Sequence, residues 1–230
     1  HININQYYNY MSNIFIFRRD YRIFDNTGLK ETLSKYDNVI PIFIGTPEQL
    51  VNNDYKSDYS VQFLCESLCE LADEFKKNKS NLHCFFGENV KVLKDIHKKN
   101  KINSVNFNMD YTPYAIKRDN EIKEFCEKND IECNSYHDYL LVPPGQVLTL
   151  SGTPYKVYGQ FQKKEVNIKI PKPKIIKKSE LKNLGKLKGK TLDSTFLKKY
   201  YKSLYPMGYS QYRREKNGGS DQNQANLHRG

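Results

Sequence analysis

The sequence predicts a doubly wound α/β fold, in which a five-stranded parallel sheet has helices on both faces and is followed by a basic linker. Short apolar runs alternate five times with longer segments whose apolar residues recur every three or four positions, the pattern of strands alternating with helices. The first run, residues 14–17, has no polar break, which is typical of a strand buried on both faces of a parallel sheet. Because crossovers between parallel strands are right-handed, we expect a Rossmann-like sheet in the order 3-2-1-4-5.

The first half of the predicted sheet contains two strands joined by a short helix. The first strand covers residues 14–17. The helix covers residues 27–36, with Asp25 and Asn26 as candidate N-caps. The second strand covers residues 39–44 and ends at a Gly-Thr-Pro break. This strand–helix–strand unit is the building block of a parallel sheet.

A long helix then begins at Ser57 or Asp58, and its apolar residues over 61–75 fall on one face. The same alternation continues after it. Strands are predicted at 82–86, 104–108 and 131–136, and one helix is predicted over about 88–100. A further helix is capped by Thr112 and has Pro113 in its first turn. Its apolar residues are Ile116, Ile122, Phe125 and Cys126.

The regular pattern ends after residue 142. A P-K-P-K-I-I-K-K stretch has no apolar periodicity and is too charged to pack a core, so we interpret it as an extended linker. The chain is predicted to begin with a disordered leader (1–11), followed by the α/β domain (12–142). A hairpin that turns at Ser151-Gly152 leads out of the domain (143–161). A basic interdomain linker and a disordered tail follow (162–230), and residues 192–204 within them are predicted to form one short helix.

Composition narrows the class of protein. Of the net charge of +11, a net of +9 lies between Lys163 and Lys190, where eleven Lys face two Glu, so the basic character belongs to one segment. No apolar run approaches the roughly 18 residues of a membrane span. The five cysteines form no C-x-x-C pair and the histidines have no ligand-like spacing, which predicts reduced thiols, an intracellular protein and no metal site.

The candidate site follows from position, since the phosphate-binding glycine motifs of nucleotide enzymes are absent. Arg18, Arg19 and Asp20 follow the first strand, and Asp110 and Tyr111 follow the fourth. In the predicted strand order these two strands flank the switch point, where a ligand crevice opens at the carboxyl edge. Arg18 would pair with an anionic or carbonyl group, and Tyr111 would stack on a flat ligand.

Two structural alternatives stay open at this point. An ion pair between Arg18 and Asp20, joined by Arg118 and Asp119, would fix the loop without binding anything. The lysine segment is either a solvated linker or a nucleic-acid site, although no aromatic residues interleave its lysines as a stacking platform would require.

The motif F-R-R-D-Y-R-x-x-D-N, which begins at Phe17, resembles the opening signature of DNA photolyases and cryptochromes. Further blocks resemble that family in the same order, up to about Phe161: V-I-P-I-F-I, Y-K-S-D-Y-S-V-Q-F-L, N-x-D-Y-T-P-Y-A-I-K-R-D, L-V-P-P-G and P-Y-K-V-Y. The usual Phe-Thr-Pro-Phe ending is altered to Tyr-Gly-Gln-Phe.

The resemblance implies an N-terminal antenna domain, which in the family binds a folate, a deazaflavin or a flavin such as FMN. In the family, a helical domain holds FAD and repairs cyclobutane pyrimidine dimers in DNA. We therefore expect an antenna half that comes from a truncated frame or a split enzyme and is inactive alone. Its expected partners are a helical FAD domain and, through that domain, damaged DNA. The chain also has no Trp for the family's electron relay. The expected cofactor-binding residues are Arg18, Asp20, Lys56, Asp110 and Tyr111.

Two other functions stay open. One is a non-catalytic, cryptochrome-like or nucleotide- or pterin-binding module. The other is a nucleic-acid-binding protein that acts through its lysine segment.

Overall fold

The predicted fold class is confirmed by a computed structural model, which describes residues 11–50, 57–170 and 172–187. Strands and helices alternate from the first strand to the fifth. The strands are β1 (Ser12–Phe17), β2 (Val39–Gly45), β3 (His83–Phe86), β4 (Ile102–Asn108) and β5 (Glu132–Tyr136). The helices are α1 (Thr27–Lys35), α2 (Pro47–Leu50), α3 (Asp58–Lys77), α4 (Asn89–Asn100), α5 (Pro113–Glu127) and α6 (Tyr158–Glu165), followed by a 3₁₀ helix (Glu180–Asn183).

The sheet has the predicted order β3-β2-β1-β4-β5, and all of its pairs are parallel. β1 lies at the centre, and all six of its residues are buried, as its unbroken apolar run requires. One core, which includes Phe15, Phe17 and residues of α1 and α3, covers one face of the sheet. The other core, which includes Ile14, Ile16 and residues of α4 and α5, covers the opposite face. The helices therefore change faces between β1 and β4, which is the switch point of a doubly wound sheet.

The predicted helix starts are confirmed by capping contacts. The side chains of Asn26, Ser57 and Thr112 accept backbone N–H groups at the first turns of α1, α3 and α5. One apolar assignment is wrong. Ile116 is 50% exposed, because the buried face of α5 passes through Ala115, Ile122 and other residues instead.

A buried polar seam connects the loop after β1, helix α1 and strand β4. The Asn108 side-chain amide donates to Asp20 Oδ2 (2.6 Å) and Asn26 Oδ1 (2.9 Å), and its Oδ1 accepts the Gly28 N–H (3.0 Å). Asn106 continues the seam by donating to the Ile14 carbonyl (3.0 Å). These contacts satisfy polar groups that have no access to water and fix the approach of α1 to the sheet.

The expectation that the basic segment packs against nothing is wrong for residues 172–187, here called the strap. The strap runs along α1. Lys174 N–H donates to Asp25 Oδ1 (2.7 Å), and Asn183 Nδ2 donates to the Leu33 carbonyl (2.9 Å). Glu180 accepts from Lys30 and Ser34. These partners are distributed over the whole length of α1, so the strap is anchored at both ends of that helix.

The end of the strap joins the amino edge of the sheet. Leu184 bridges to Val39, and Gly185 N–H donates to the Val39 carbonyl (2.8 Å). Leu187 is only 9% exposed and joins a core cluster, while its N–H donates to His83 Nε2 (3.3 Å). The strap is therefore part of the folded domain.

The predicted hairpin over 146–158 is also wrong. The chain does turn near Gly152, where the Thr149 N–H donates to the Thr153 carbonyl (2.8 Å), but no strands flank the turn. Leu148 and Leu150 are exposed there, and a lone hairpin with no apolar face to bury is marginal. The predicted leader (apart from Met11), the short helix over 192–204 and the tail lie outside the described residues.

None of the described cysteines forms a disulfide: Cys65, Cys84 and Cys126 are buried, and Cys69 and Cys133 are partly exposed. No helix in the described part of the chain is both long and apolar enough to cross a bilayer.

Candidate functional site

A crevice of about 520 Å³ opens at the carboxyl edge of the sheet, beside the ends of β2 and β3. Helix α5, which follows β4, forms its opposite wall. The lining residues are Thr46 and Glu48 after β2, Glu88, Asn89 and Val90 at the start of α4, and Tyr114, Lys117, Arg118 and Glu121 on α5. This volume lies within the range of small-molecule sites, roughly 300–1,000 Å³.

A smaller recess, with a volume of about 10 Å³, reaches in toward β1. Thr46, Asn89 and Arg118 line both the recess and the crevice, and Arg18 lies at the inner end. The recess has room for about one water molecule. The crevice therefore has a broad outer part and a narrow polar inner part.

Arg18 is the predicted site residue that the structure does place at this crevice. The side chain is 4% exposed, and its guanidinium carbon lies 3.9 Å from the centre of the Phe107 ring. Its Nη1 contacts Asp119 Oδ1 at 2.7 Å. Burial and the neighbouring Arg118 lower the pKa of Arg18 to about 10, so the guanidinium stays charged at neutral pH.

Arg118 binds the same carboxylate oxygen. Its Nε lies 3.0 Å from Asp119 Oδ1, and its side chain is 8% exposed. Two buried guanidinium groups thus share one buried carboxylate, and the Nη2 atoms of Arg18 and Arg118 have no hydrogen-bond partner among the described residues. The structural alternative of an ion-pair cluster is correct for Arg18, Arg118 and Asp119, but Asp20 takes no part in it.

Asp20 fixes the loop and does not line the crevice. It is 1% exposed, its Oδ1 accepts the Arg18 N–H (2.9 Å), and its Oδ2 accepts from Asn26 (3.0 Å) and Asn108 (2.6 Å). Burial raises the pKa of Asp20. With both oxygens occupied inside the protein, Asp20 is a structural residue.

Asp110 and Tyr111 lie in a second group of polar residues, at the ends of β4 and β5. Asp110 Oδ2 pairs with Arg19 Nη1 (3.3 Å), and Tyr111 stacks on His137, with 2.6 Å between the Tyr111 hydroxyl and His137 Nδ1. Neither residue lines the crevice between α4 and α5. The structure therefore does not gather the predicted residues into one site, and Lys56 lies outside the described residues.

The crevice wall includes one aromatic ring with an occupied hydroxyl. Tyr114 is 42% exposed, and its hydroxyl lies 3.1 Å from Thr46 Oγ1. The Tyr114 ring also lies 5.7 Å from the Arg118 guanidinium carbon. This arrangement holds the ring at the mouth of the crevice, where it could stack on a flat ligand.

Two further features shape the electrostatics of the crevice. The N-cap residue of α4, Glu88, makes no side-chain capping bond, so the first-turn N–H groups are open beside Asn89. Glu48, Glu88 and Glu121 place carboxylates on the lining. In the described part of the chain, no group of three or more His, Cys, Asp or Glu could hold a metal ion.

Sequence reasoning did not select Thr46, Asn89 or Tyr114 as site residues, and it gave Arg118 only a structural role. One signal was available: Thr46 directly follows the end of an apolar strand, as Arg18 does, and Glu88 lies two residues after the end of another. The same carboxyl-edge rule that selected Arg18 would have selected them.

Comparisons with known proteins agree with this fold. A family model described as DNA photolyase matches residues 13–175. The deoxyribodipyrimidine photo-lyase of Buchnera aphidicola subsp. Acyrthosiphon pisum is 30% identical over 161 residues, which cover 67% of this chain and 33% of that protein. Cryptochrome-2 of Arabidopsis thaliana is 29% identical over 155 residues, which cover 67% of this chain and 25% of that protein.

Among solved structures, an archaeal photolyase from Sulfolobus tokodaii is 37% identical, with a TM-score of 0.74 over 96% of this chain and 46% of that one. That crystal structure contains two FAD molecules and is described as implicating a novel light-harvesting cofactor. The present chain spans less than half the length of each of these three relatives. Since the family model covers most of the sequence and the fold agrees, the chain belongs to the DNA photolyase family.

Proposed function

We propose that this chain is the antenna half of a DNA photolyase, an α/β domain that binds a light-harvesting chromophore for a catalytic flavin held elsewhere. The crevice at the carboxyl edge of the sheet supports this proposal most strongly, because it combines a suitable volume, an aromatic wall and buried cationic donors. Folate, deazaflavin and FMN are the candidate chromophores.

The residues of the crevice have separate roles in this proposal. Tyr114 would stack on the ring system, and Asn89 and Lys117 would contact polar groups at the mouth. Arg118 and Arg18 would meet ligand atoms at the inner end. A bound chromophore would absorb near-ultraviolet or blue light and pass the excitation on. Cysteines that form no disulfide suit a reducing, intracellular compartment.

Placement of the chromophore can be tested with two tyrosine variants. Folate, deazaflavin and FMN are titrated into the parent chain, Tyr114→Ala and Tyr111→Ala, and binding is followed by absorbance and fluorescence. Loss of an aromatic contact is expected to weaken binding to Tyr114→Ala by about three- to tenfold. Tyr111→Ala, at the end of β4, serves as the control and should bind like the parent. Weaker binding only to Tyr111→Ala would place the site between β1 and β4.

The partners of this half would be a helical, FAD-binding domain and, through it, damaged DNA. Because repair in the family takes place at that second flavin, the 230-residue chain alone is expected not to split pyrimidine dimers. The measurement is illumination of the purified chain with dimer-containing DNA. Light-dependent loss of dimers at an enzymatic rate would contradict the proposal.

Signalling without repair is the second candidate function. The support is that Cryptochrome-2 of Arabidopsis thaliana is 29% identical to this chain, almost the same as the photo-lyase of Buchnera aphidicola at 30%. Both functions use a chromophore, so chromophore binding does not distinguish them. The distinguishing experiment combines this chain with a helical, FAD-binding domain. Dimer repair by that reconstituted pair would support the photolyase, and its absence with a fully bound flavin would support the signalling module.

A further inference from the structure

The strap carries most of its lysines on the outside of the domain. Four of its five large apolar side chains pack on the two cores: Ile176, Leu181, Leu184 and Leu187. The lysines that face water are Lys172, Lys177, Lys178, Lys182 and Lys186. These five exposed lysines, here called the ridge, form a cationic outer face on a segment whose inner face is packed.

The surroundings of the ridge do not cancel its charge. The strap forms two ion pairs with the domain, Lys174 with Glu31 (3.2 Å) and Glu180 with Lys30. Neither pair involves a ridge lysine, and no ridge lysine has a carboxylate partner among the described residues. Asp25 is the other carboxylate that the strap contacts, through the Lys174 N–H. The strap and its charged partners therefore hold seven lysines against three carboxylates, a net charge of +4.

The backbone of the ridge is already ordered. At one end the Asp25 N–H donates to the Lys174 carbonyl (3.1 Å), and at the other the Gly185 N–H donates to the Val39 carbonyl (2.8 Å). Helix α1 lies between these anchors, and its nine residues are about 14 Å long. Because the segment is ordered in advance, a partner that binds it avoids most of the entropy cost of fixing that backbone. The lysines are thus attached at fixed points along a line.

A polyanion with regularly spaced charges fits such a line of lysines. Duplex DNA carries about one negative charge per 1.7 Å of its axis, so a length of about 14 Å contains about eight phosphates. Lysines that neutralise several of these phosphates release counterions, which drives binding without regard to base sequence. The strap contains no aromatic residue on which a base could stack, so its contacts would be limited to the backbone of the nucleic acid.

An anionic membrane surface fits the strap less well. Segments that bind membranes combine lysines with several exposed apolar side chains, which enter the lipid interface. Ile175 is the one large apolar residue of the strap that is exposed, since the other four pack on the cores. The strap therefore has the charge for a phosphate surface and lacks the apolar face for insertion.

We infer that the ridge binds the sugar–phosphate backbone of duplex nucleic acid, independently of base sequence and of any damaged base. This contact belongs to the α/β domain itself. It lies along α1, on the opposite face of the sheet from α4 and α5, which form the crevice. Neither a chromophore nor a helical domain is required, so the inference does not depend on the proposed function.

The test titrates a labelled, undamaged duplex of mixed sequence with the full chain and with two triple variants. The ridge variant carries Lys177→Gln, Lys178→Gln and Lys182→Gln. The control variant carries Lys91→Gln, Lys94→Gln and Lys98→Gln, at exposed positions of α4 on the other face of the sheet. Both variants lose three positive charges. All six side chains are exposed, so both folds are expected to survive, and thermal unfolding checks this.

At about 50 mM salt, the parent and the control variant should bind the duplex with similar affinity, and the ridge variant at least about tenfold more weakly. Between about 50 and 200 mM salt, the slope of log affinity against log salt should become shallower by about 2 to 3 in the ridge variant alone, because each phosphate contact contributes roughly 0.9 to it. Equal weakening of the two variants would show that only net charge matters. Undiminished binding by the ridge variant would place the contact elsewhere in the chain. Either result would overturn the inference.

Two further titrations identify the partner. A duplex that contains pyrimidine dimers should bind the parent as tightly as the undamaged duplex, since the ridge contacts phosphates only, and clearly tighter binding would contradict a damage-independent contact. Vesicles that contain an anionic phospholipid should not bind at the salt concentration where the duplex does. Vesicle binding that is lost in the ridge variant would assign the ridge to a membrane. That result, or a parent chain that binds no duplex at low salt, would show that the inference is wrong.

Discussion

At the scale of single residues, the sequence indicates which side chains lie at the edge of the sheet better than it indicates which residues they contact. Arg18 is predicted as a site residue because it follows the first strand, and it lines the recess beside the crevice. Its ion-pair partner, Asp119, lies on α5 and could not be chosen over Asp20 from spacing alone. The packing of α5 against β4 brings Asp119 within 2.7 Å of Arg18, and that distance follows from tertiary structure.

For Gly28→Ala, helix propensity and the observed packing predict changes in stability of opposite sign. In the first turn of a helix, Ala is favoured over Gly by up to about 1 kcal/mol, so Gly28→Ala should stabilise on propensity alone. In the structure, a Cβ at Gly28 would lie 2.3 Å from Asn108 Oδ1 and 3.0 Å from Tyr136. We expect Gly28→Ala to lower the free energy of unfolding by about 1–3 kcal/mol, because α1 would be pushed off the polar seam.

The matched control for this change is Gly159→Ala. Gly159 is also the second residue of its helix, α6, and nothing lies within 4 Å of a Cβ there. It should be neutral or slightly stabilising when both variants are measured by urea unfolding. Equal effects of the two substitutions would mean that the contact with Asn108 does not limit the approach of α1.

At the scale of elements, periodic segments were predictable and the strap was not. The five strands and the capped helices follow from apolar spacing and N-cap residues. The strap has neither, since its lysines interrupt every apolar pattern. Ile176, Leu181, Leu184 and Leu187 nevertheless pack on the cores, because backbone hydrogen bonds to Asp25 and Val39 hold an irregular chain in place.

Removal of the strap tests this packing. A chain ending at Ile170 is compared with one ending at Leu187, so that the difference isolates the strap. We expect the shorter chain to lose about 1–4 kcal/mol of unfolding free energy. Each buried apolar side chain contributes about 1.5–3 kcal/mol, and the entropy of ordering the segment offsets much of the total. Identical urea midpoints and slopes would restore the view that the strap is a dispensable linker.

At the scale of the whole molecule, topology places the crevice at one edge of the sheet, and charge is distributed unevenly along the chain. The strand order could be predicted, and with it the edge of the sheet at which the crevice opens. The choice of the α4–α5 side over the β1–β4 gap depends on how far the helices stand apart, which spacing does not report. The excess of lysine lies on the strap and the segment before it, away from the carboxylates that line the crevice.

The strap also makes the stability of the molecule depend on pH through His83. Its Nε2 accepts the Leu187 N–H, which requires the neutral ring, and burial lowers the pKa of His83 to about 4. The unfolded chain, with a pKa near 6.5, therefore binds a proton that the folded chain excludes between about pH 6.5 and 4. This contribution is complete above pH 6.5 and is lost as the pH falls through that window, up to about 3 kcal/mol. Asp20 acts in the opposite direction, since burial raises its pKa and its protonation favours the folded state at low pH.

A His83→Gln variant separates the two effects. Glutamine can accept the Leu187 N–H through its side-chain oxygen and does not titrate, so the window assigned to His83 should disappear while the contribution of Asp20 remains. The free energy of unfolding is measured by urea at half-unit steps from pH 7.5 to 4. The parent should lose stability steadily below pH 6.5, and the variant should lose less over the same window, where His97, whose pKa is also lowered by burial, still contributes. The same slope in both proteins would show that His83 does not hold the strap in its neutral form, and the acid sensitivity of the fold would then have to come from other groups, which include His97.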